Sequence, residues 1–453
     1  MDNRRTVITT HRRSLVLILA LALFLRLVNI AAQDPLAQFS SGGDSGWYLN
    51  YGYGLVSGGQ QASWGTIPID LGHIGTPPLY LIFVGIWAVL LPQVQAVQAI
   101  QISQALLNVA ACYLLFRLSY QIIGQERAGL LAAFIGAVWP PFVQLPAEVI
   151  SENLYIPFIL LGMVLYILWL RDEGRTWRGL MLVAVVFGLA TLSRAVSILF
   201  PLGLALHLVL FYGRSQWPQA LKRGLFLLVI YITVLSTWTV YNLVALNRFV
   251  FVSNQFFPIL AVGAIGWDDP DKVDAQLGIT AEDGEAPLQQ EVYAEATAET
   301  VAQNPLGYLS RRVGELAYSY LQPYGTVPYG GDSLKDALVN WWQQDRTLHG
   351  FTLLLSDETF WPKAVIYLFH YAALLAGALG ALWLRQHWRY TAPILGFWAY
   401  TTLAHFFLLA TPRYIFPATV LLWPLATYTF LAIYDRLRRR NASTTPKGME
   451  LVR

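Results

Sequence analysis

The chain has 453 residues, 56% of them hydrophobic and only 13% charged, and its 30 basic and 27 acidic side chains leave a net charge of +3. A soluble domain carries about 25% charged residues, so the composition excludes an ordinary globular enzyme and offers no basic patch for a nucleic acid. The single cysteine, Cys112, lies inside an apolar run; it excludes an intrachain disulfide and is expected to do no more than pack.

Apolar runs of the length that spans a bilayer, about 17–25 residues, recur along the chain and predict an all-α polytopic membrane protein. The first follows the basic start Arg4, Arg5, Arg12 and Arg13. It resembles a signal peptide, but it is too long, contains Arg26 and has no small-x-small site after it. An uncleaved first helix is expected. The predicted spans are 14–32, 97–117, 128–146, 153–170, 179–193, 195–213, 224–246, 364–384, 391–410 and 413–434, about ten in all. The apolar segment 78–91 is shorter than a span and reads as a helix lying at the surface.

Charge sets the orientation. If 78–91 does not span, one side collects Arg117, Arg127, Arg171, Arg175, Arg178, Arg214, Lys222, Arg223, Arg385, Arg389 and the tail from Arg436 to Arg440. If it does span, every later basic loop lies outside, against the positive-inside rule. Both termini are therefore expected in the cytoplasm, with the protein in the cytoplasmic (plasma) membrane. Four parts follow: a transmembrane module 1–246 with a first external loop 33–96, a large and partly helical external loop 247–363, C-terminal spans 364–435 and a basic tail 436–453. Within the large loop, 267–299 holds ten carboxylates against Lys272. It lacks the Asp-x-Asp-x-Asp-Gly spacing of a calcium loop, so a solvated acidic face is expected; a divalent metal is conceivable there but has no motif behind it. Residues 291–303 read as an amphipathic helix ended by Asn304-Pro305.

The outer ends of the spans carry the residues with chemical potential. Asp44 stands in Gly43-Asp44-Ser45-Gly46-Trp47-Tyr48, and no Lys or Arg occurs from Leu27 to Phe116 to neutralise it. It serves either as a helix N-cap or as a general base. On a helix, Tyr48 shares its face. Glu148 and Glu152 lie at the start of another span, where a carboxylate either complements the helix dipole or faces a protein cavity. Arg194, Arg413 and, more weakly, Arg26 are arginines that either anchor headgroups or bind an anion. His73 is either an ordinary loop histidine or a phosphate or sugar contact; no second histidine stands at metal-ligand spacing. Trp238 and Asn242 either pack or offer a sugar a stacking face. Walker, dinucleotide-binding and His-Glu-x-x-His motifs are absent, which removes a soluble nucleotide as an expected substrate.

The order and spacing of several short stretches resemble the C-type (GT-C) superfamily of membrane glycosyltransferases. The closest branch contains protein O-mannosyltransferases, the lipid A aminoarabinose transferase and rhizobial-type lipopolysaccharide glycosyltransferases. The stretches are Asp44-Ser45-Gly46-Trp47-Tyr48 with Tyr53-Gly54-Leu55; Thr76-Pro77-Pro78-Leu79-Tyr80; Ser151-Glu152-Asn153-Leu154-Tyr155; Gly188 to Arg194; Trp238 to Ser253; and Arg413-Tyr414. His73 departs from the pattern, with three residues between it and Pro77 where many relatives place a histidine directly beside the prolines. The resemblance implies a GT-C-type helical bundle with juxtamembrane helices. It also implies a sugar donor on a polyprenyl phosphate, an acceptor lipid, polysaccharide or protein, and Asp44 as catalytic base. Tyr48, His73, Glu152, Arg194, Trp238, Asn242 and Arg413 are the expected substrate or phosphate contacts. A transporter or flippase of lipid-linked or anionic substrates is the alternative; the lack of internal repeats weighs against it.

Overall fold

The computed structural model describes residues 2–39, 44–65, 75–172, 176–266, 270–278, 287–326 and 333–444. Among them every regular element is helical, as the apolar periodicity requires when backbone polar groups must be satisfied inside a bilayer. Each predicted span has its helix. They are α1 (Asp2–Ala31), α4 (Gln93–Ile123), α7 (Glu152–Arg171), α8 (Trp177–Ser193), α9 (Phe200–Tyr212, part of the 18-residue stretch that starts at the 3-10 turn of Ala195), α10 (Trp217–Leu246), α17 (Phe360–Trp383), α18 (Trp388–Phe407) and α19 (Pro412–Thr444), together with a broken helix. Among the described residues seven helices are long and apolar enough to cross a membrane on those criteria alone, or eight if the broken pair is one span.

That broken pair corrects the expected single span 128–146. α5 (Glu126–Val138) stops at Trp139, and the chain bends by 65° into α6 (Pro140–Gln144) and a 3-10 turn ending at Ala147. Pro140 and Pro141 supply the reason, since a proline pair begins a helix easily but cannot continue one. The free carbonyls at the break are taken by Arg26. Its side chain is completely buried and donates to Gly136 O (2.8 Å), Ala137 O (3.0 Å), Ala22 O (2.8 Å) and Asn108 Oδ1 (2.7 Å). Arg26 is thus a structural brace, and the expectation that it serves as a third anion-binding arginine is not met.

The first loop contains α2 (Asp44–Ser57) and α3 (Pro78–Leu90). At 13 residues α3 is about 20 Å long, too short to span. One face of it, Tyr80, Leu81 and Val84, is completely buried. α2 and α3 cross at a pair of glycines. A Cβ on Gly85 would fall 2.0 Å from Gly52 O, and one on Gly52 would fall 2.7 Å from Leu81 O. This close approach fixes how far α2, and Asp44 at its start, sits from the bundle.

The large loop is more helical than the acidic composition indicates. It holds α11 (Phe256–Ile265), α12 (Pro270–Leu277), α13 (Pro287–Gln303), α14 (Pro305–Leu321), α15 (Leu334–Gln344) and α16 (Leu348–Ser356). Asn304 ends α13 as expected and at once caps α14, its Oδ1 accepting from Gly307 N at 2.8 Å with Pro305 in the first turn.

The two ends of the bundle differ in chemistry. At one, the basic residues lie on aromatic faces: Arg171 over Tyr390 (4.5 Å), Arg223 over Tyr212 (5.1 Å) and Trp169 (5.5 Å), and Arg436 over Trp383 (5.2 Å). Such girdles mark a membrane–water interface. α7 carries Arg171 at this end and Glu152 at the other. The separation, 19 residues, is roughly 30 Å, the thickness of the hydrocarbon core. Glu152 and its partners therefore occupy the opposite interface from the basic girdle.

Candidate active site

The turn that delivers Glu148 and Glu152 is built by α4 and α7. Gln101 and Gln104 on α4 are buried and donate to the carbonyls of Ala147 (2.7 Å), Pro146 (2.9 Å) and Glu148 (3.0 Å). Asn153 on α7 donates to Leu145 O and Glu148 O, both at 2.9 Å. Within 145–150 the backbone closes short bonds of its own, Glu148 N to Leu145 O (3.2 Å) and Ile150 N to Glu148 O (3.1 Å), and three amide side chains hold the turn by taking its carbonyls as well.

Glu152 opens α7 and is almost entirely inaccessible, with 1% of its side chain exposed. Two arginines meet it. Arg413 Nε lies 2.6 Å from Oε1 and Nη2 lies 3.1 Å from Oε2, a bidentate grip. Arg194 Nη1 also pairs with Oε1. Arg413 then extends Nη1 to Asp44 Oδ2 at 2.5 Å. A chain of alternating charge results: Arg194, Glu152, Arg413, Asp44. Burial lowers the tendency of Arg194 to hold its proton, but the carboxylate of Glu152 more than offsets this, and the pKa stands above the ordinary arginine value. Exposure is lowest at Glu152 (1%) and rises from there through Arg413 (24%) to Asp44 (55%), with Arg194 at 14%. Asp44 is the member that solvent and a substrate reach most easily.

Tyr48 lies one turn after Asp44, on the same face of α2 as expected. Its hydroxyl donates to Ser151 Oγ at 3.1 Å. Burial pushes its pKa up to about 12, against the pull of Arg194 and Arg413, so it remains a proton donor. The ring of Tyr414 supports both arginines, with Arg194 Cζ 5.0 Å and Arg413 Cζ 6.0 Å from its centroid. His405 stacks on Tyr414 at 5.4 Å. Beside the cluster, Tyr324 donates to Glu148 Oε2 at 2.9 Å. Burial raises the pKa of Glu148, partly countered by that hydrogen bond and by Arg413.

The structure thus brings together Asp44, Tyr48, Glu152, Arg194 and Arg413, five of the eight expected residues, from the first loop, α7, the α8–α9 junction and α19. Trp238 and Asn242 on α10 are buried, with no contact to the charge chain among those described. Trp238 belongs to the main apolar core and stacks on Tyr241 at 5.2 Å, while Asn242 donates to the Trp238 carbonyl at 2.8 Å. His73 lies outside the described residues. The sequence reading missed Tyr324, Ser151 as a linking hydroxyl, and the supporting role of Tyr414. A tyrosine in a long loop carries no spacing signal; only its contact with Glu148 marks Tyr324. Among the described residues no group of three or more His, Cys, Asp or Glu side chains converges as a metal site would. The acidic members Asp268, Asp269, Glu282, Asp283 and Glu285 lie outside the described residues.

The arrangement combines a partly exposed carboxylate with two fixed guanidinium groups at a membrane interface. Chemically it suits a substrate that presents an acidic hydroxyl proton on one side and a developing oxyanion on the other. Residues 76–241 match the family model described as dolichyl-phosphate-mannose-protein mannosyltransferase. Comparison with curated proteins returns no match. Among solved structures, the Archaeoglobus fulgidus oligosaccharyltransferase tethered to an acceptor peptide aligns at a TM-score of 0.55 and 12% identity, over 96% of this chain and 51% of that one. The same organism's oligosaccharyltransferase AglB, in complex with an inhibitory peptide and a dolichol-phosphate, aligns at 0.52 and 13%, over 98% of this chain and 52% of that one. The likeness establishes a shared helical fold. The chain spans about half the length of these relatives.

Proposed function

Starting from a chain with the GT-C membrane fold and a mannosyltransferase family match over 76–241, we propose that it is an inverting glycosyltransferase. It moves a sugar from a polyprenyl-phosphate donor to an acceptor hydroxyl at the face of the membrane opposite the basic girdle. The observation that carries this reading is Arg413 lying between Asp44 and Glu152. A guanidinium in hydrogen-bond contact with the candidate base is also near enough to hold a phosphate beside it.

In the reaction, Asp44 takes the proton of the acceptor hydroxyl as its oxygen attacks the anomeric carbon. The bond from that carbon to the phosphate oxygen breaks on the opposite side, and its electron pair leaves with the polyprenyl phosphate. Arg413 and Arg194 stabilise the phosphate as charge collects on it. Glu152 is buried and doubly paired, so it does not exchange protons with substrate; it positions the arginines. Tyr48 and Ser151 fix α2 against α7, which sets the reach of Asp44.

The test uses the purified protein in lipid vesicles with radiolabelled polyprenyl-phosphate sugars and a crude acceptor fraction. Transfer accompanied by release of polyprenyl phosphate is expected, with none from Asp44→Asn, which should melt like the wild type. Full turnover by Asp44→Asn removes Asp44 from the mechanism. Movement of the lipid across vesicles without any glycosidic bond formed would favour the transport reading instead.

A further inference from the structure

The far end of α19 holds a second set of arginines that the transfer reaction leaves unused. Arg436 lies 23 residues beyond Arg413 on the same helix, about 35 Å at 1.5 Å per residue. This places it at the opposite membrane interface from the charge chain. Two open clefts flank it. One, of about 240 Å³, is lined by Gln125, Tyr428, Leu431, Ala432, Asp435, Arg436 and Arg439. The other, of about 410 Å³, is lined by Ile433, Arg436, Leu437, Arg439 and Arg440. Both clefts share Arg436 and Arg439.

The clefts have the character of a lipid contact. Their apolar side is formed by Leu431, Ala432, Ile433 and Leu437. Ile433 and Leu437 are exposed although they are large and aliphatic, which is costly in water and natural against acyl chains. Their polar side presents three arginines against one carboxylate, Asp435. Arg436 also rests over Trp383 at 5.2 Å, a residue type that settles at headgroup level. An arginine fork recognises phosphate oxygens in two directions at once.

We infer that Arg436 and Arg439 form a binding site for the phosphate of an anionic phospholipid in the leaflet opposite the active site, with the acyl chains along Ile433 and Leu437. The positive-inside distribution requires only that basic residues lie on this side. It does not require two of them to line shared clefts floored by aliphatic side chains. The site is independent of the proposed transfer.

Native mass spectrometry of the full chain released from nanodiscs tests this, with phosphatidylglycerol and phosphatidylcholine compared. Wild-type protein should retain phosphatidylglycerol over phosphatidylcholine by roughly thirtyfold, the scale set by two juxtamembrane arginines. The Arg436→Gln/Arg439→Gln variant should lose that preference, whereas Arg438→Gln, whose side chain lines neither cleft, should keep it. Should the double variant fail to fold for loss of the Trp383 contact, Arg439→Gln alone should still weaken retention. Equal retention of both lipids, or equal loss in Arg438→Gln, overturns the site. So does displacement of bound phosphatidylglycerol by millimolar inorganic phosphate, which would indicate a site for a soluble anion.

Discussion

Arg413 grips Glu152 with two nitrogens, 2.6 and 3.1 Å from the two carboxylate oxygens, across 261 positions of sequence. The grip joins the start of α19 to the start of α7, and Arg413 has one further nitrogen to spare for Asp44. One residue therefore serves both as a brace for the bundle and as a neighbour of the candidate base.

This double role separates two variants. Arg413→Gln leaves Glu152 buried with Arg194 as its remaining partner. Breaking a buried pair by removing one member costs about 3–5 kcal/mol, and the residual pair with Arg194 places the expected loss toward the lower end. Asp44→Asn touches a side chain that is more than half exposed, and a change of within about 0.5 kcal/mol is expected. Thermal unfolding followed by tryptophan fluorescence distinguishes them. Equal destabilisation by both would show that Asp44 is a structural partner rather than a free chemical group.

The glycine crossing sets a positional requirement. Gly85→Ala places a methyl group 2.0 Å from Gly52 O and must push α2 away from α3. Gly46→Ala meets only Phe39 Cδ1 at 3.8 Å, an ordinary contact. Transfer should fall by about 100-fold in Gly85→Ala, because a displacement near 1 Å has that effect on an aligned reaction. Gly46→Ala raises the helical propensity of α2 and meets no clash, so transfer near the wild-type rate is expected. Steady-state assays with a saturating donor measure this.

Arg26→Met keeps an unbranched apolar stem but removes every donor. The buried carbonyls of Gly136 and Ala137 then lose their partners at the break between α5 and α6. Each unsatisfied group costs about 1–3 kcal/mol, so a marked loss of thermal stability is expected with no selective effect on donor binding. A Michaelis constant for the donor that rises while the melting temperature holds would return Arg26 to the list of anion-binding residues.

Glu148 supplies a pH test. Burial raises its pKa in the folded protein above the ordinary 4.5. The folded state then holds this proton more tightly than the unfolded one. Its contribution to stability is complete below pH 4.5 and is lost as pH rises through the folded value. Glu148→Gln cannot ionise, and its amide oxygen still accepts from Tyr324. Its stability should be flatter than the wild type's across that window, seen in melting curves recorded upward from pH 4.5. Parallel curves would place the proton elsewhere.

Much of this molecule is legible in its sequence. The apolar runs gave a helix at every expected span because nothing but a helix satisfies the backbone in lipid, and the short 78–91 segment is a discrete helix too short to cross. The bend at Trp139 was legible in principle from Pro140-Pro141 but was submerged in a continuous apolar run. Trp238 and Asn242 leave packing and a sugar contact both open in sequence; which face of α10 meets its neighbours decides their burial, and apolar periodicity is weak on a helix apolar all round.

The sequence by itself determined the class of molecule, the position of its basic girdle and the identity of the rare charged residues at helix ends, since each charge in an apolar chain is costly and so conspicuous. Which of those charges meet was decided only by the tertiary structure. Arg26 and Arg413 look alike in sequence, each a lone arginine at an apolar helix. The first turns into a bent helix and meets carbonyls, and the second meets Glu152 and Asp44. Ion pairing over hundreds of residues depends on distances of a few ångströms, and these are set by how whole helices pack: by a glycine crossing at Gly52 and Gly85 and by three amides holding the turn before α7.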